Sequence, residues 1–207
     1  MKIYKYMIPI IYFVFWANEL INLSIGSYSG YHALILHFSI YLLFELVMQS
    51  STFNYLHIIR QSRFSYKIKQ ITYQFIHSIL FVLLFYGIHI FILYFRHRDT
   101  SIYQIYTLYI PVMICFYFIF NIIQNIIESL IRQTLISYSI TLIMSLCIYY
   151  FSHLTPYLEI FEMIYTHQFN IMRYIHTLFI FLLFAIIISY LSLFIFIKKD
   201  FIYDQNK

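Results

Sequence analysis

Apolar residues run through this chain in long continuous blocks, and nowhere do apolar and polar positions alternate in ten-residue segments. A membrane-crossing helix needs roughly 20 mostly apolar residues. Six blocks meet that length, at about 7–25, 31–48, 71–95, 102–127, 133–151 and 174–197. The pattern predicts an all-α integral membrane fold of six transmembrane helices in a single transmembrane domain covering 1–207. Continuous rather than alternating runs favour helices over a barrel. The connections are uneven. Gln49–Gln70 is a long one, and Ser50-Ser51-Thr52 there offers an N-cap to a short helix over Phe53–Arg60. Ser152–Arg173 is the other, where Thr155-Pro156 starts a second short helix carrying Leu158, Phe161 and Tyr165 at helical spacing. Both short helices are expected at the membrane surface.

Polar positions inside the blocks are the candidate chemistry, because each costs energy at membrane depth. Asn121, Gln124, Asn125 and Glu128 recur at i, i+3, i+4 and i+7 and share one helical face. Arg132 extends that face and follows Glu128 by four residues, the favourable order for an ion pair. This face either lines a wet cavity or substrate path, or joins helices by hydrogen bonds. Asn18, Glu19 and Asn22 cluster in the first block, where Glu19 must be protonated, paired or facing water. Glu45 near the end of the second block is placed to pair with the basic loop that follows. These four are expected to serve a pathway or a pairing role. Ser137, Thr141 and Ser145 repeat every four residues and form a small-residue stripe for helix packing or a dimer face.

Composition supports a bilayer as the solvent. The 207 residues are 62% hydrophobic and 10% charged, with a mean hydropathy of +0.78, more apolar surface than a soluble domain of this size can hide. The 23 Tyr and 23 Phe follow from AT-rich codon usage, which raises Ile, Asn and Lys as well. Tyr4, Tyr6, Tyr149 and Tyr150 at block ends suit an interfacial belt. Met1–Leu20 reads as an uncleaved first span, since it lacks a small-x-small cleavage site.

Charge sets the orientation. With the amino terminus inside, ten of the 13 Lys and Arg fall on the inner side and three on the outer. Inner loops carry the positive excess, so both termini are expected in the cytoplasm. Four of the inner charges lie in Arg60-Gln-Ser-Arg63-Phe-Ser-Tyr-Lys67-Ile-Lys69.

Several activities have no support in the residues. Cys115 and Cys147 lack a CxxC spacing and are expected to be buried thiols. The nine His form neither HExxH nor HxxxH, and no Gly-x-Ser-x-Gly occurs. With Gly26, Gly30 and Gly87 as its three glycines, the chain carries no P-loop. No metal, no cofactor and no nucleic-acid partner is expected. Active transport would need an ion gradient or a partner ATPase, and the scarcity of intramembrane Pro and Gly favours the partner.

The layout resembles the permease subunits of type-two ABC exporters, particularly the small six-span proteins found with bacteriocin and lantibiotic immunity systems. The resemblance covers the whole chain as topology. At residue level it rests on the basic stretch Arg60–Lys69 entering an apolar helix and on Lys198-Lys199-Asp200 closing the last block. It implies a coupling helix that docks on a cytoplasmic ATPase, here Phe53, His57 and Arg60, with Arg63 and Lys67 following. It also implies a homodimer, or a heterodimer with a sister permease, in which ATP is bound by the partner. The expected function is then export of a peptide or lipid-like amphipathic molecule, with bacteriocin self-immunity as one setting. The expected location is the plasma membrane of an AT-rich Gram-positive bacterium. The alternative is a non-transporting immunity or assembly factor in the membrane.

Overall fold

A computed structural model of the chain describes residues 40–42, 45, 62–96, 100–131, 133–152 and 170–198. Four helices account for almost all of them: α1 Arg63–Arg96, α2 Thr100–Ile131, α3 Thr134–Ser152 and α4 Ile171–Lys198. Residues 40–42 and Glu45 are helical as well.

Local chemistry explains where these helices start. The Ser62 hydroxyl accepts the backbone N–H of Ser65 at 3.2 Å, an N-cap that begins α1 eight residues before the expected start at Ile71. Arg63, Lys67 and Lys69 therefore lie on the first turns of a helix and not in a loop. Asn170 does the same for α4, its Oδ1 accepting the N–H groups of Met172 at 3.0 Å and Arg173 at 3.2 Å. At the other end of α4, Arg63 Nη1 donates to the carbonyl of Ile197 at 3.3 Å and so satisfies one terminal acceptor. Pro111 sits inside α2 without ending it.

α2 is the central element and packs against α1, α3 and α4. Its stretch from Val112 to Ile122 is buried at all but one position, as expected of a helix that is apolar on every side. The Arg63–Ile197 bond and the Tyr66–Phe196 ring contact at 5.8 Å bring the start of α1 to the end of α4. Gln70 meets Asn125 and Gln74 meets Asn121, so α1 and α2 are antiparallel. Phe118, Ile119 and Ile122 of α2 close against Ala185 and Ile188 of α4, with Ile71 of α1 at the margin. The side of α4 turned inward is a narrow stripe, Thr177, Ala185, Ile188, Ser192 and Phe196. Most of its circumference, including Ile175, Phe179, Leu183, Ile187 and Tyr190, is exposed.

The six-span expectation is corrected by this structure. Among the described residues, two helical stretches are long and apolar enough to cross a membrane, Ile110–Ile131 and Ile171–Lys198. The first is mostly buried inside the bundle and the second mostly is not. The physical reason lies in the neighbours. α1 opens with Lys67, Lys69, Gln70, Gln74 and His77, and α2 opens with Thr100, Ser101, Gln104 and Thr107. The block expected at 133–151 contributes the shorter apolar helix Ile136–Cys147. The block 7–25, most of 31–48, both expected surface helices and both termini lie outside the described residues. The two long apolar helices point to membrane association.

Packing around α2 makes a stability prediction. Ile122 is fully buried where α2 meets α4, whereas Ile187 faces outward. Ile122→Ala should cost about 2–5 kcal/mol and Ile187→Ala under about 1 kcal/mol. Unfolding of the two variants in the same lipid or detergent would measure the difference.

Candidate functional site

The site begins with the two polar faces that α1 and α2 turn toward each other. On α1, Lys67, Gln70, Gln74 and Ser78 fall at i, i+3, i+7 and i+11, one stripe along the helix. On α2, Asn121 and Asn125 face that stripe, while Gln124 and Glu128 are one residue position further round and turn toward α3. Tyr41 and Glu45, both helical, lie across the same level.

The bonds form a continuous chain. Lys67 Nζ donates to Gln70 Oε1 at 3.0 Å. Gln70 Nε2 donates to Asn125 Oδ1 at 3.1 Å. Asn125 Nδ2 donates to the Asn121 carbonyl at 3.2 Å and reaches Asn121 Oδ1 at 3.5 Å. Asn121 Nδ2 donates to the Tyr41 hydroxyl at 2.9 Å, and that hydroxyl donates to Glu45 Oε1 at 3.3 Å. Every donor points the same way, from an ammonium toward a carboxylate. Two charges buried far apart are thereby joined through aligned amide dipoles, and hydrogen bonds in such a chain polarise one another.

Side branches tie the other helices in. Gln74 Nε2 donates to Asn121 Oδ1 at 3.3 Å, and Ser78 Oγ lies 2.8 Å from the Tyr41 hydroxyl. Gln124 Nε2 donates to Glu128 Oε2 and to Ser137 Oγ, each at 3.1 Å. His77 Nδ1 stands 3.4 Å from Glu45 Oε1, an ion-pair distance. Aromatic rings wall the upper end, with Tyr41 4.7 Å from Tyr117 and 5.0 Å from Phe81 between centroids.

Several buried polar atoms complete the picture. Glu45 Oε2, Gln74 Oε1, Gln124 Oε1 and the Tyr138 hydroxyl find no hydrogen-bond partner among the described residues. Buried polar atoms are nearly always bonded, so each of these is a position for an added donor, a proton or water. Among the described residues, no three His, Cys, Asp or Glu side chains gather closely enough to hold a metal ion.

The structure brings some of the candidate residues together and separates others. Asn121, Gln124, Asn125 and Glu128 all enter the seam. Ser137, Thr141 and Ser145 are all buried within the chain. Ser137 takes the Gln124 bond, while Thr141 and Ser145 donate back to the carbonyls of Ser137 and Leu142. Glu45 faces His77 and Tyr41 and, among the described residues, is linked to the basic stretch through the relay to Lys67. Lys67 is itself 2% exposed, its Nζ 5.1 Å from the Phe196 ring centroid. Asn18, Glu19, Asn22, Phe53, His57, Arg60 and Arg132 lie outside the described residues. Cys115 is buried and Cys147 is exposed, where both were expected buried. The sequence reading did not include Tyr41, Gln70, Gln74, His77 and Ser78. The polar stripe from Lys67 to Ser78 was the available signal, and it repeats the spacing that singled out α2.

Comparison with protein-family models, with curated proteins and with solved structures gives no match for the chain.

Two predictions follow from the seam's chemistry. Tyr41→Phe removes the hydroxyl that joins Asn121, Ser78 and Glu45. It should cost about 1–3 kcal/mol in unfolding free energy, as it strips bonding partners from buried groups. The second concerns Lys67. Burial pushes its ammonium down from 10.5 to about 8, with Glu128 opposing the shift. Below pH 8 the folded and unfolded chains are both charged there, and the native state bears the full desolvation cost. Between pH 8 and 10.5 the native state gives up its proton first, so stability rises across that window, by up to about 3 kcal/mol. Tyr66 is pushed up by burial and pulls the other way above about pH 10. Chemical unfolding between pH 7 and 10 should show the rise in the native chain and lose most of it in Lys67→Met.

Proposed function

We propose that this protein is a membrane-embedded subunit of a transport assembly, a permease that works with a separate ATPase on a peptide or lipid-like amphipathic molecule. The observation that carries the reading is the polar seam with its unbonded acceptors. Ionisable and amide side chains held inside an otherwise apolar bundle mark substrate or ion paths in membrane proteins. Glu45 Oε2, Gln74 Oε1 and Gln124 Oε1 leave acceptors for a passing donor group. The basic start of α1 supports contact with a cytoplasmic partner, since Lys69 is exposed there. A dimer of this chain, or its pairing with a sister subunit, fits the exposed apolar side of α4. The reading places the protein in the plasma membrane, with bacteriocin self-immunity as one setting.

A non-transporting immunity or assembly factor is the second reading. It is favoured by the number of seam bonds that close within the chain, which lets the polar groups serve as interhelical joints. Recovery of the tagged chain from its native membrane separates the two. Transport predicts a co-purifying ATPase whose hydrolysis rate changes when the chain is present, and loss of that association on combined charge reversal at Arg60 and Arg63. Protection of cells from a bacteriocin with no ATPase bound would overturn transport in favour of the second reading.

A further inference from the structure

We propose that Glu45 and His77 form a buried proton-binding site, loaded from outside the bundle through the imidazole. The Glu45 side chain is 1% exposed, and its two oxygens differ. Oε1 accepts from Tyr41 at 3.3 Å and lies 3.4 Å from His77 Nδ1. Oε2 has no hydrogen-bond partner among the described residues. A bare carboxylate oxygen in an apolar interior is costly, and two changes relieve it. A proton on the carboxyl removes the charge, or an imidazolium beside Oε1 balances it. One proton thus has two seats, Glu45 and His77. Transfer breaks the His77 Nδ1–H bond and forms a Glu45 O–H bond, leaving neutral imidazole and a neutral acid.

Access decides the direction of loading. His77 keeps 16% of its side chain exposed on α1, whereas Glu45 is closed in. Exchange with the surroundings therefore passes through the ring. Among the described residues, the groups around Glu45 come from Tyr41 and from α1, α2 and α3. Tyr41 shares its segment, Ser78 comes from α1, and Asn121 reaches it from α2 through Tyr41. Tyr138 of α3 lies within electrostatic range of both Glu45 and Glu128, and its hydroxyl is among the unbonded groups. Lys67 stands at the far end of the relay. The site does not depend on the transport reading and would stand if no ATPase were found.

Infrared difference spectroscopy of the full chain in lipid nanodiscs, titrated from acid to alkaline pH, tests it. The expected result is a carboxylic-acid C=O band that is lost in Glu45→Gln and whose pH midpoint moves in His77→Gln. No such band in the native chain, a band surviving Glu45→Gln, or an unmoved midpoint in His77→Gln would each overturn the proposal. If Glu45→Gln fails to fold, judged by helical circular dichroism, the native and His77→Gln titrations decide alone.

Discussion

Everything in this bundle is arranged around one constraint: Lys67 and Glu45 are both buried, and neither touches the other. An isolated buried charge is among the most costly things a protein can hold. Neither charge is alone here: Glu128 acts on Lys67, His77 stands beside Glu45, and four intervening side chains join the two with donors that all point from the ammonium to the carboxylate. Gln70, Asn125, Asn121 and Tyr41 can do this only if α1, α2 and the helical residues Tyr41 and Glu45 hold one register. Sliding α1 by one turn along α2 would put Gln74 where Gln70 stands, carry Lys67 past the end of α2 and break the Gln70–Asn125 link. The polar chain thus contributes specificity of alignment, while the apolar contacts around Ile122 contribute most of the attraction.

That division of labour explains why α2 is central. It must present amides to α1, Gln124 and Glu128 to α3, and apolar side chains to α4. Three different surfaces on one helix leave little room for solvent or lipid between Val112 and Asn125. α4 needs none of this. It approaches through Ala185 and Ser192, whose small side chains allow close contact, and leaves the rest of its surface to whatever surrounds the bundle.

The sequence was informative wherever a rule acts within one helix. The spacing of Asn121, Gln124, Asn125 and Glu128 was legible because a helix face is fixed by a 3.6-residue period. The starts of α1 and α4 were not, since Ser62 and Asn170 act as caps only once a helix follows. Treating the basic stretch as a loop hid the matching stripe from Lys67 to Ser78, and with it half of the site. The span count failed for another reason. A count of apolar runs passes over the polar residues that open a helix, as Lys67, Gln70, Gln74 and His77 do in α1 and Thr100, Ser101 and Gln104 in α2. What Glu45 faces depends on three elements far apart in the chain, and no local pattern encodes that.

The makeup of the relay has a further consequence. A carboxamide passes on an electric field but not a proton: its N–H is scarcely acidic, and its oxygen has no hydrogen to hand forward. Three of the four linking side chains are carboxamides. The chain is thus a conductor for charge sensing and an insulator for proton current. A change of ionisation at one end polarises the amides toward the other, and the three carboxamides hand no hydrogen forward. Such a connection lets the two ends of a bundle consult each other without short-circuiting any gradient across which the bundle is placed.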